Sequence, residues 1–296
     1  MDNVLLKFVD LNSNSVFYIG NNTLWRILKG GLEGFSTVDN IVNYTNNATS
    51  DGGYIDSTNV PVKDRNVSCA YVFPNNNLVA RQGVLDFFSV KNEYRLYVTY
   101  NETTLWADCY LVRMALSIST RFKDRLDLSL ALRFVNPYWN ANIPDIEDLN
   151  VSNPLFAFPY LCANDSTYNG PQGFAAGILV DNEYTTEIYN DGDVITYPVI
   201  TIKFKGGTSN PFIKLNGHTV SFNYDFSSGE TVVLDFDNSP PTVKKDGVNW
   251  VGYCSRNSEF ESMGLVKGKN IFEYGADSGE DSMRVSVAHN NKYEAI

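Results

Sequence analysis

The stretches NDGDVITYPVITIKF (residues 190–204), NPFIKLNGHTVSFNYDF (210–226) and GETVVLDF (229–236) carry three strand patterns in succession, separated by little more than turns. In the first, Ile200, Ile202 and Phe204 fall on one side while Thr201, Lys203 and Lys205 fall on the other, which is the period-two alternation of a half-buried strand. Val220, Phe222, Tyr224 and Phe226 then alternate with Thr219, Ser221, Asn223 and Asp225, after an Asn216-Gly217 pair suited to the positive φ of a two-residue hairpin turn. Val232, Leu234 and Phe236 repeat the pattern beyond Ser228-Gly229. Read directly, Glu187 to Phe236 is an antiparallel sheet with one face in water.

Working outward, Gly173 to Val180 and Thr185 to Asn190 read as strands leading into this stretch. Asn238-Ser239-Pro240-Pro241 turns the chain after it, and Asp246-Gly247 signals a second tight hairpin. Asn270–Tyr274 is expected to pair with Met283–Ala288 across the acidic loop at 276–281. Strands at this density predict a β-sandwich.

The upstream part is also β-rich. Leu126, Leu128, Leu130, Leu132 and Phe134 share one face of the cleanest strand, so a one-residue slip would expose five large apolar side chains at about 1.5–3 kcal/mol each. Glu93 to Val112 reads as a hairpin reversing at Asn101 to Thr104. A helix is predicted over Asn77–Ser89, capped by Asn77, with Leu78, Leu85 and Phe88 on one face, and a shorter one over Thr37–Tyr44. Gly30, Gly31 and Gly34 form a turn signal and lack the spacing of a phosphate loop. From Asn136 to Pro159 four prolines interrupt any periodicity, which is linker composition. The expected organisation is mainly β, with an N-terminal domain over 1–139 containing one or two short helices, and a linker with a C-terminal β-sandwich over 140–296.

With 43% apolar and 19% charged residues, the chain has the composition of a globular protein rather than a disordered or membrane-spanning one. Its start lacks the pattern of a secretory signal, and its apolar runs fall short of the ~20 residues of a membrane span. A net charge of −11 argues against a general nucleic-acid-binding surface, which needs clustered Lys and Arg. Cys69, Cys109, Cys162 and Cys254 are scattered without CxxC spacing and read as buried reduced thiols.

Candidate chemistry is sparse. His218 and His289 have no Cys or Ser motif beside them, and both read as surface residues without special chemistry. Asp191 and Asp193 flank Gly192 without a complete calcium-loop spacing and read as a β-turn. No carboxylate pair stands out as a glycosidase site. Trp106, Trp139 and Trp250, with Tyr138 and Tyr253, could stack on sugars, though core or interface packing is the ordinary use of such residues. No catalytic, metal or cofactor residues are expected; Trp250 and Tyr253 are the candidates for glycan contact.

Laid side by side, the motifs of both halves resemble the distal tail protein family of long-tailed bacteriophages. In the first half these are DGGYI (51–55), NVPVKDRNVSCAYVF (59–73), ADCYLVRMAL (107–116) and LSLALRFVNPYW (128–139). In the second they are FAFP (156–159), GFAAG (173–177), NDGDVITYPVITIKFKG (190–206), NPFIK (210–214), GETVVLDF (229–236), KDGVNW (245–250) and SEFESMGLVKGKN (258–270), in the family's order. The resemblance implies a non-enzymatic virion protein without cofactors, assembled in the cytoplasm of a bacterial host and located at the distal end of the tail. It implies a ring of six copies built by the first domain, with a galectin-like second domain facing outward. The implied partners are further copies of the chain, the tail tube protein, a tail-tip hub or tail-associated lysin, and receptor-binding or baseplate proteins. DNA would pass through the lumen without specific binding, and no membrane insertion is implied. The alternative is a carbohydrate-binding β-sandwich module on the virion surface that recognises the host cell wall.

Overall fold

The strand at Leu126–Phe134 anchors the first unit, and its register is the one its alternation demands: Leu126, Leu128, Leu130, Leu132 and Phe134 are all buried. The computed structural model describes residues 4–47, 51–71, 77–118, 125–149, 157–159, 173–175 and 184–296. The chain divides into two units, 1–143 with 291–296, and 144–290.

In the first unit the elements run β1 (Val4–Asp10), β2 (Val16–Gly20), β3 (Trp25–Glu33), β4 (Ile41–Asn46), β5 (Gly53–Asn59), β6 (Lys63–Tyr71), α1 (Asn77–Phe87), β7 (Glu93–Tyr100), β8 (Thr103–Ile118), β9 (Leu126–Phe134) and β10 (Trp139–Ala141). Their main sheet has the order β2-β1-β7-β8-β9-β6-β3, all neighbours antiparallel. β10 pairs with β8 and with the C-terminal residues Lys292–Tyr293, which return to this unit.

Several expectations change here. Gly30 and Gly31 do not end a strand: they form a bulge within β3, where the register shifts between Ile27 and Leu32. Gly30 has φ 71°, and a Cβ on Gly31 would fall 2.3 Å from the Ser68 carbonyl oxygen, so the bulge requires glycine. The short helix predicted over Thr37–Tyr44 is absent: Ile41 onward is a strand of the β4–β5 hairpin, because Val42 and Ile41 serve strand pairing as well as a helical face. α1 forms over Asn77–Phe87, but with a different buried face. Val84 and Phe88 lie in the core with Ala80 and Phe87 packed against it, whereas Leu78 is 84% exposed and Leu85 also faces solvent. The inward spacing is i, i+4, i+7, i+8, anchored by the aromatic pair. The hairpin turn is also tighter than predicted: Tyr100 pairs with Thr103 across Asn101-Glu102.

The prolines of 136–159 do not prevent pairing. Within this segment lie β10 and β11 (Asp145–Asp148), and Trp139 is completely buried. Its ring and that of Phe134 cover the guanidinium of Arg65 at 4.3 and 4.2 Å from their centroids. Arg65 is itself wholly buried and donates to the Gly34 carbonyl through Nε (3.2 Å) and to the Pro137 carbonyl through Nη2 (2.7 Å).

The second unit continues with β12 (Ala157–Pro159), β13 (Gly173–Ala175), β14 (Thr185–Asn190), β15 (Val199–Phe204), β16 (Thr208–Ser209), β17 (Phe212–Leu215), β18 (His218–Ser221), β19 (Asp225–Phe226), β20 (Thr231–Asp235), β21 (Thr242–Lys245), β22 (Val248–Asn249), β23 (Gly268–Gly275) and β24 (Met283–His289). Most of the strand predicted over Gly173–Val180, and the segment at 161–170, lie outside the described residues.

Most of these strands fall into two sheets. One has the order β11-β24-β15-β20-β21-β22 and the other β14-β23-β17-β18. The stretch 187–236 is therefore not one sheet with a wet face. β15 and β20 pair with each other in the first sheet, and β17 and β18 form a hairpin in the second. Likewise, β23 and β24 do not pair: β23 lies between β14 and β17, and β24 between β11 and β15. The apolar face of each pattern was legible nonetheless. Ile200, Ile202, Phe204, Val220, Phe222, Phe226, Val232, Leu234 and Phe236 all enter one core, together with Ile213, Leu215 and Phe272. This is a β-sandwich. Both two-residue hairpins form at the predicted turns, with φ 51° and 95° at Asn216-Gly217 and 47° and 84° at Asp246-Gly247.

The Arg65 site makes a direct prediction. Arg65→Ala removes the stacked side chain and strands two carbonyls, and should destabilise the first unit by about 3–5 kcal/mol. Arg65→Lys should not restore it, because an ammonium cannot stack between two rings while bonding both carbonyls. Hydrogen exchange of first-unit peptides under increasing urea measures both effects.

Candidate interaction surface

The second unit gathers half-exposed aromatic side chains around the β21–β22 hairpin. The Asp246-Gly247 turn sets Lys245 opposite Val248, and the chain then enters a single 3₁₀ turn at Val251–Tyr253. That tight turn lays the Tyr253 ring on Trp250, with centroids 4.0 Å apart and planes 10° from parallel. Tyr224 stands edge-on to both rings at 5.5 Å. Lys245 Nζ sits 4.4 Å from the Trp250 centroid and 4.9 Å from that of Tyr224, and donates to Glu230 Oε1 at 2.5 Å. Glu230 also accepts the Ser227 backbone N–H at 2.8 Å.

The hydrogen bond from Lys245 holds the Glu230 carboxyl below the usual carboxylate range, against an opposing contribution from burial, and the same bond raises the Lys245 ammonium. Glu230 is thus ionised and engaged at neutral pH, without a proton to donate. Trp250 already carries a ring and an ammonium against its surface, while Tyr253 is 46% exposed and presents its outer side to solvent. The arrangement suits contact with another surface rather than bond-making chemistry.

The other aromatic candidates are occupied. Trp139 is in the first core, and Trp106 donates its indole N–H to the Ala141 carbonyl (2.9 Å) with the Arg95 guanidinium 4.0 Å from its centroid. His218 is exposed and pairs with Glu259 at 2.9 Å. His289 is not a surface residue: its side chain is completely buried, because it continues the inward series Met283, Val285, Val287 along β24. Its Nε2 lies 3.2 Å from the Tyr189 carbonyl oxygen and 3.8 Å from Asp145 Oδ2. Near Asp191 and Asp193, the Gly192 N–H donates to Asn190 Oδ1 and Lys267 pairs with Asp193, the geometry of a stabilised turn. Among the described residues no cluster of three or more His, Cys, Asp or Glu could hold a metal ion.

Cys69 and Cys109 are buried and Cys254 is half-buried, all three as free thiols; Cys162 lies outside the described residues. Burial pushes the Cys69 thiol up to about 12 and Cys254 to about 11, and raises Cys109 as well, so none supplies a thiolate at neutral pH.

The chain thus consists of two antiparallel β units, the second a sandwich with a cluster of stacked aromatic side chains at its surface. Residues 191–293 match the family described as siphovirus-type tail component, C-terminal domain. The fold over the whole chain is similar to the crystal structure of the SPP1 Dit (gp 19.1) protein, with a TM-score of 0.65, 11% identity and coverage of 97% of this chain and 98% of that one. That structure is described as a paradigm of the hub adsorption apparatus in phages infecting Gram-positive bacteria. A chain from the phage P2 baseplate in its activated conformation with Ca is also similar, at TM-score 0.51 and 11% identity over the full length of both. No curated protein matches the sequence. The resemblance to distal tail proteins drawn from the sequence motifs is borne out by the family match and the SPP1 fold together.

The Glu230–Lys245 pair, with side chains only 20% and 13% exposed, predicts a pH signature. Because the folded carboxyl is lowered, its contribution is fully present above the unfolded value of about 4.3 and is lost as pH falls through the folded value. Glu230→Gln should cost about 1 kcal/mol at pH 7, and the difference from the parent should close at strongly acid pH. Urea unfolding curves at both pH values test this.

Proposed function

We propose that the protein is a structural, non-enzymatic virion component, a distal tail protein. In this reading it forms a hexameric ring hub that joins the tail tube to the tail tip or baseplate and to the host-adhesion device. The observation that carries it is the fold likeness to SPP1 Dit across the length of both chains, together with the tail-component match of residues 191–293. Residues 1–139 would build the ring and residues 140–296 would contribute the outward, galectin-like domain. The partners would be the tail tube protein, a tail-tip hub or tail-associated lysin, and receptor-binding or baseplate proteins. The chain would be made in the bacterial cytoplasm and reside at the distal end of the tail.

The first unit supports self-association physically. Its main sheet does not close, leaving β2 and β3 as edge strands, and an open edge is a template for pairing with another chain. Its polar side is also suited to passing DNA without retaining it. Arg95 meets Asp108 through two hydrogen bonds of 2.7 and 2.9 Å, Arg133 meets Asp64 through two of 2.8 Å, and Arg125 pairs with Asp127 at 2.6 Å. Each of these three cations is matched by its own carboxylate, which holds it back from displacing counterions from phosphates.

Electron micrographs of the purified protein should show closed rings with a central hole. A protein that stays monomeric at high concentration by light scattering contradicts the ring. Gel shift at 150 mM salt should detect no retention of duplex DNA, and substituting Asp64 and Asp108 together by Asn should produce measurable retention by freeing Arg133 and Arg95.

The carbohydrate-binding reading rests on the exposed side of Tyr253 against Trp250. It requires cell-wall glycan binding that Tyr253→Ala abolishes, and a glycan array without hits would remove it.

A further inference from the structure

We infer that the Asn216-Gly217 turn is a deamidation site held shut by the buried side chain of Asn270, so that the second unit carries a guard against its own chemical ageing. Asn-Gly is the dipeptide at which this reaction runs most readily, because glycine has no side chain to shield its backbone nitrogen or restrict its approach. The Gly217 nitrogen attacks Asn216 Cγ, the Cγ–Nδ2 bond breaks, and ammonia leaves with the proton of the Gly217 N–H. Water then opens the cyclic imide to an aspartyl or an isoaspartyl residue. No reactant beyond water is needed, and water reaches the turn, since Asn216 and Gly217 are both exposed.

The bonding of Asn216 opposes the first step. Its backbone N–H donates to the Ile271 carbonyl at 2.9 Å, and its side-chain Oδ1 accepts the Ile271 N–H at 2.9 Å. Its Nδ2 donates to Asn270 Oδ1 at 2.8 Å. The side chain thus adds a rung to the β17–β23 ladder, beyond the Leu215–Phe272 pair. Attack requires the amide carbon to swing onto the Gly217 nitrogen. That movement breaks both side-chain bonds and takes residue 216 out of the positive φ of 51° that the two-residue turn imposes.

Asn270 can hold its end because it is completely buried and its amide is fixed in orientation. Its Nδ2 donates to the carbonyls of Val266 (2.8 Å) and Gly268 (2.9 Å), which leaves Oδ1 to accept from the Val266 N–H (2.8 Å) and from Asn216. The same orientation decides what the reaction would leave behind. Deamidation replaces the Nδ2 donor of residue 216 by a carboxylate oxygen and sets it against Asn270 Oδ1, an acceptor that cannot turn away without giving up both carbonyls. The isoaspartyl product also adds a methylene to the turn that sets Leu215 opposite His218. The lesion therefore loosens the ladder whose opening admits it.

The test incubates the full chain at mildly alkaline pH, in buffer and in concentrated urea. Residue 216 is followed by peptide mass spectrometry, which separates it from the other Asn-Gly pair at 169–170. Asn216 should deamidate at least about tenfold more slowly in the folded chain, the protection expected of three hydrogen bonds that must open together. N270A, verified as folded by circular dichroism, should lose most of that protection. N216D reproduces the aspartyl product, and its second unit should unfold at lower urea than the parent's at pH 7 by hydrogen exchange. That gap should close as pH falls toward the unfolded carboxyl value of about 3.9, because the protonated carboxyl regains a donor for Asn270. Equal rates in folded and unfolded chains overturn the inference, as does a folded N270A with the parent's rate, or N216D with the parent's urea midpoint at pH 7. Should N270A fail to fold, the other two measurements decide.

Discussion

A single buried guanidinium organises the first unit. Among the described residues Arg65 has no carboxylate partner, and burial brings its pKa down to about 10, which still leaves it charged at neutral pH. What makes this tolerable is that its charge is spread over two aromatic faces and two carbonyls, three of them supplied by residues 134–139 and the fourth by Gly34. Phe134 ends the central strand β9, Trp139 begins β10, Gly34 follows the bulged β3, and Pro137 lies in the turn between β9 and β10. Because Trp139 also pairs with Tyr293, the returning C-terminus meets the same point. The proline-rich segment that breaks the sequence periodicity is thus held in place by a cation in the preceding β6 strand. A buried ion of this kind contributes through geometry more than through net stability, since a single misplacement leaves it unsatisfied.

The second unit is governed by a different constraint, that both sheets share one core. Consecutive apolar alternations face the same interior whether the strands are neighbours or lie across the sandwich. The Phe204 and Phe226 rings illustrate this: they stack at 4.2 Å and 6°, yet their strands β15 and β19 do not pair with each other. Period-two patterning therefore determines which side chains go inward, while hydrogen-bond partners depend on which loops are long enough to cross between sheets.

This explains what could be read from the sequence and what could not. The β9 register, the Asn216-Gly217 and Asp246-Gly247 turns, the existence of α1 and the inward residues of 199–236 were legible, because each depends on local alternation or on positive φ. The partners of β23 and β24 were not, since two strands separated by a short acidic loop look like a hairpin whether or not they join one sheet. The residues at 41–44 were ambiguous because spacing alone cannot separate one helical turn from a strand of the same β-branched residues. His289 was misplaced by chemical type: a histidine near a chain end reads as exposed, but its odd-numbered position in the 283–289 alternation points inward.

The aromatic patch shows the same division at the level of a site. Trp250 and Tyr253 stood out because large aromatic residues close together in a turn-rich segment invite a binding role. Their real surroundings, Lys245, Glu230 and Tyr224, carried no such signal. They converge only because β20 pairs with β21, which brings the residue before one strand and the end of the next side by side. Once that pairing is known, the sequence features acquire a different chemistry: the indole that could have received a sugar is covered by a tyrosine ring and an ammonium, and the ammonium is neutralised by a carboxylate. What remains outward is one phenol face and the apolar side chains of Val248 and Val251, 63% and 46% exposed. A surface of that kind, rigid, modestly apolar and with its charges internally matched, favours a flat and dry partner over a hydroxyl-rich ligand, which needs unsatisfied hydrogen-bonding groups to hold it.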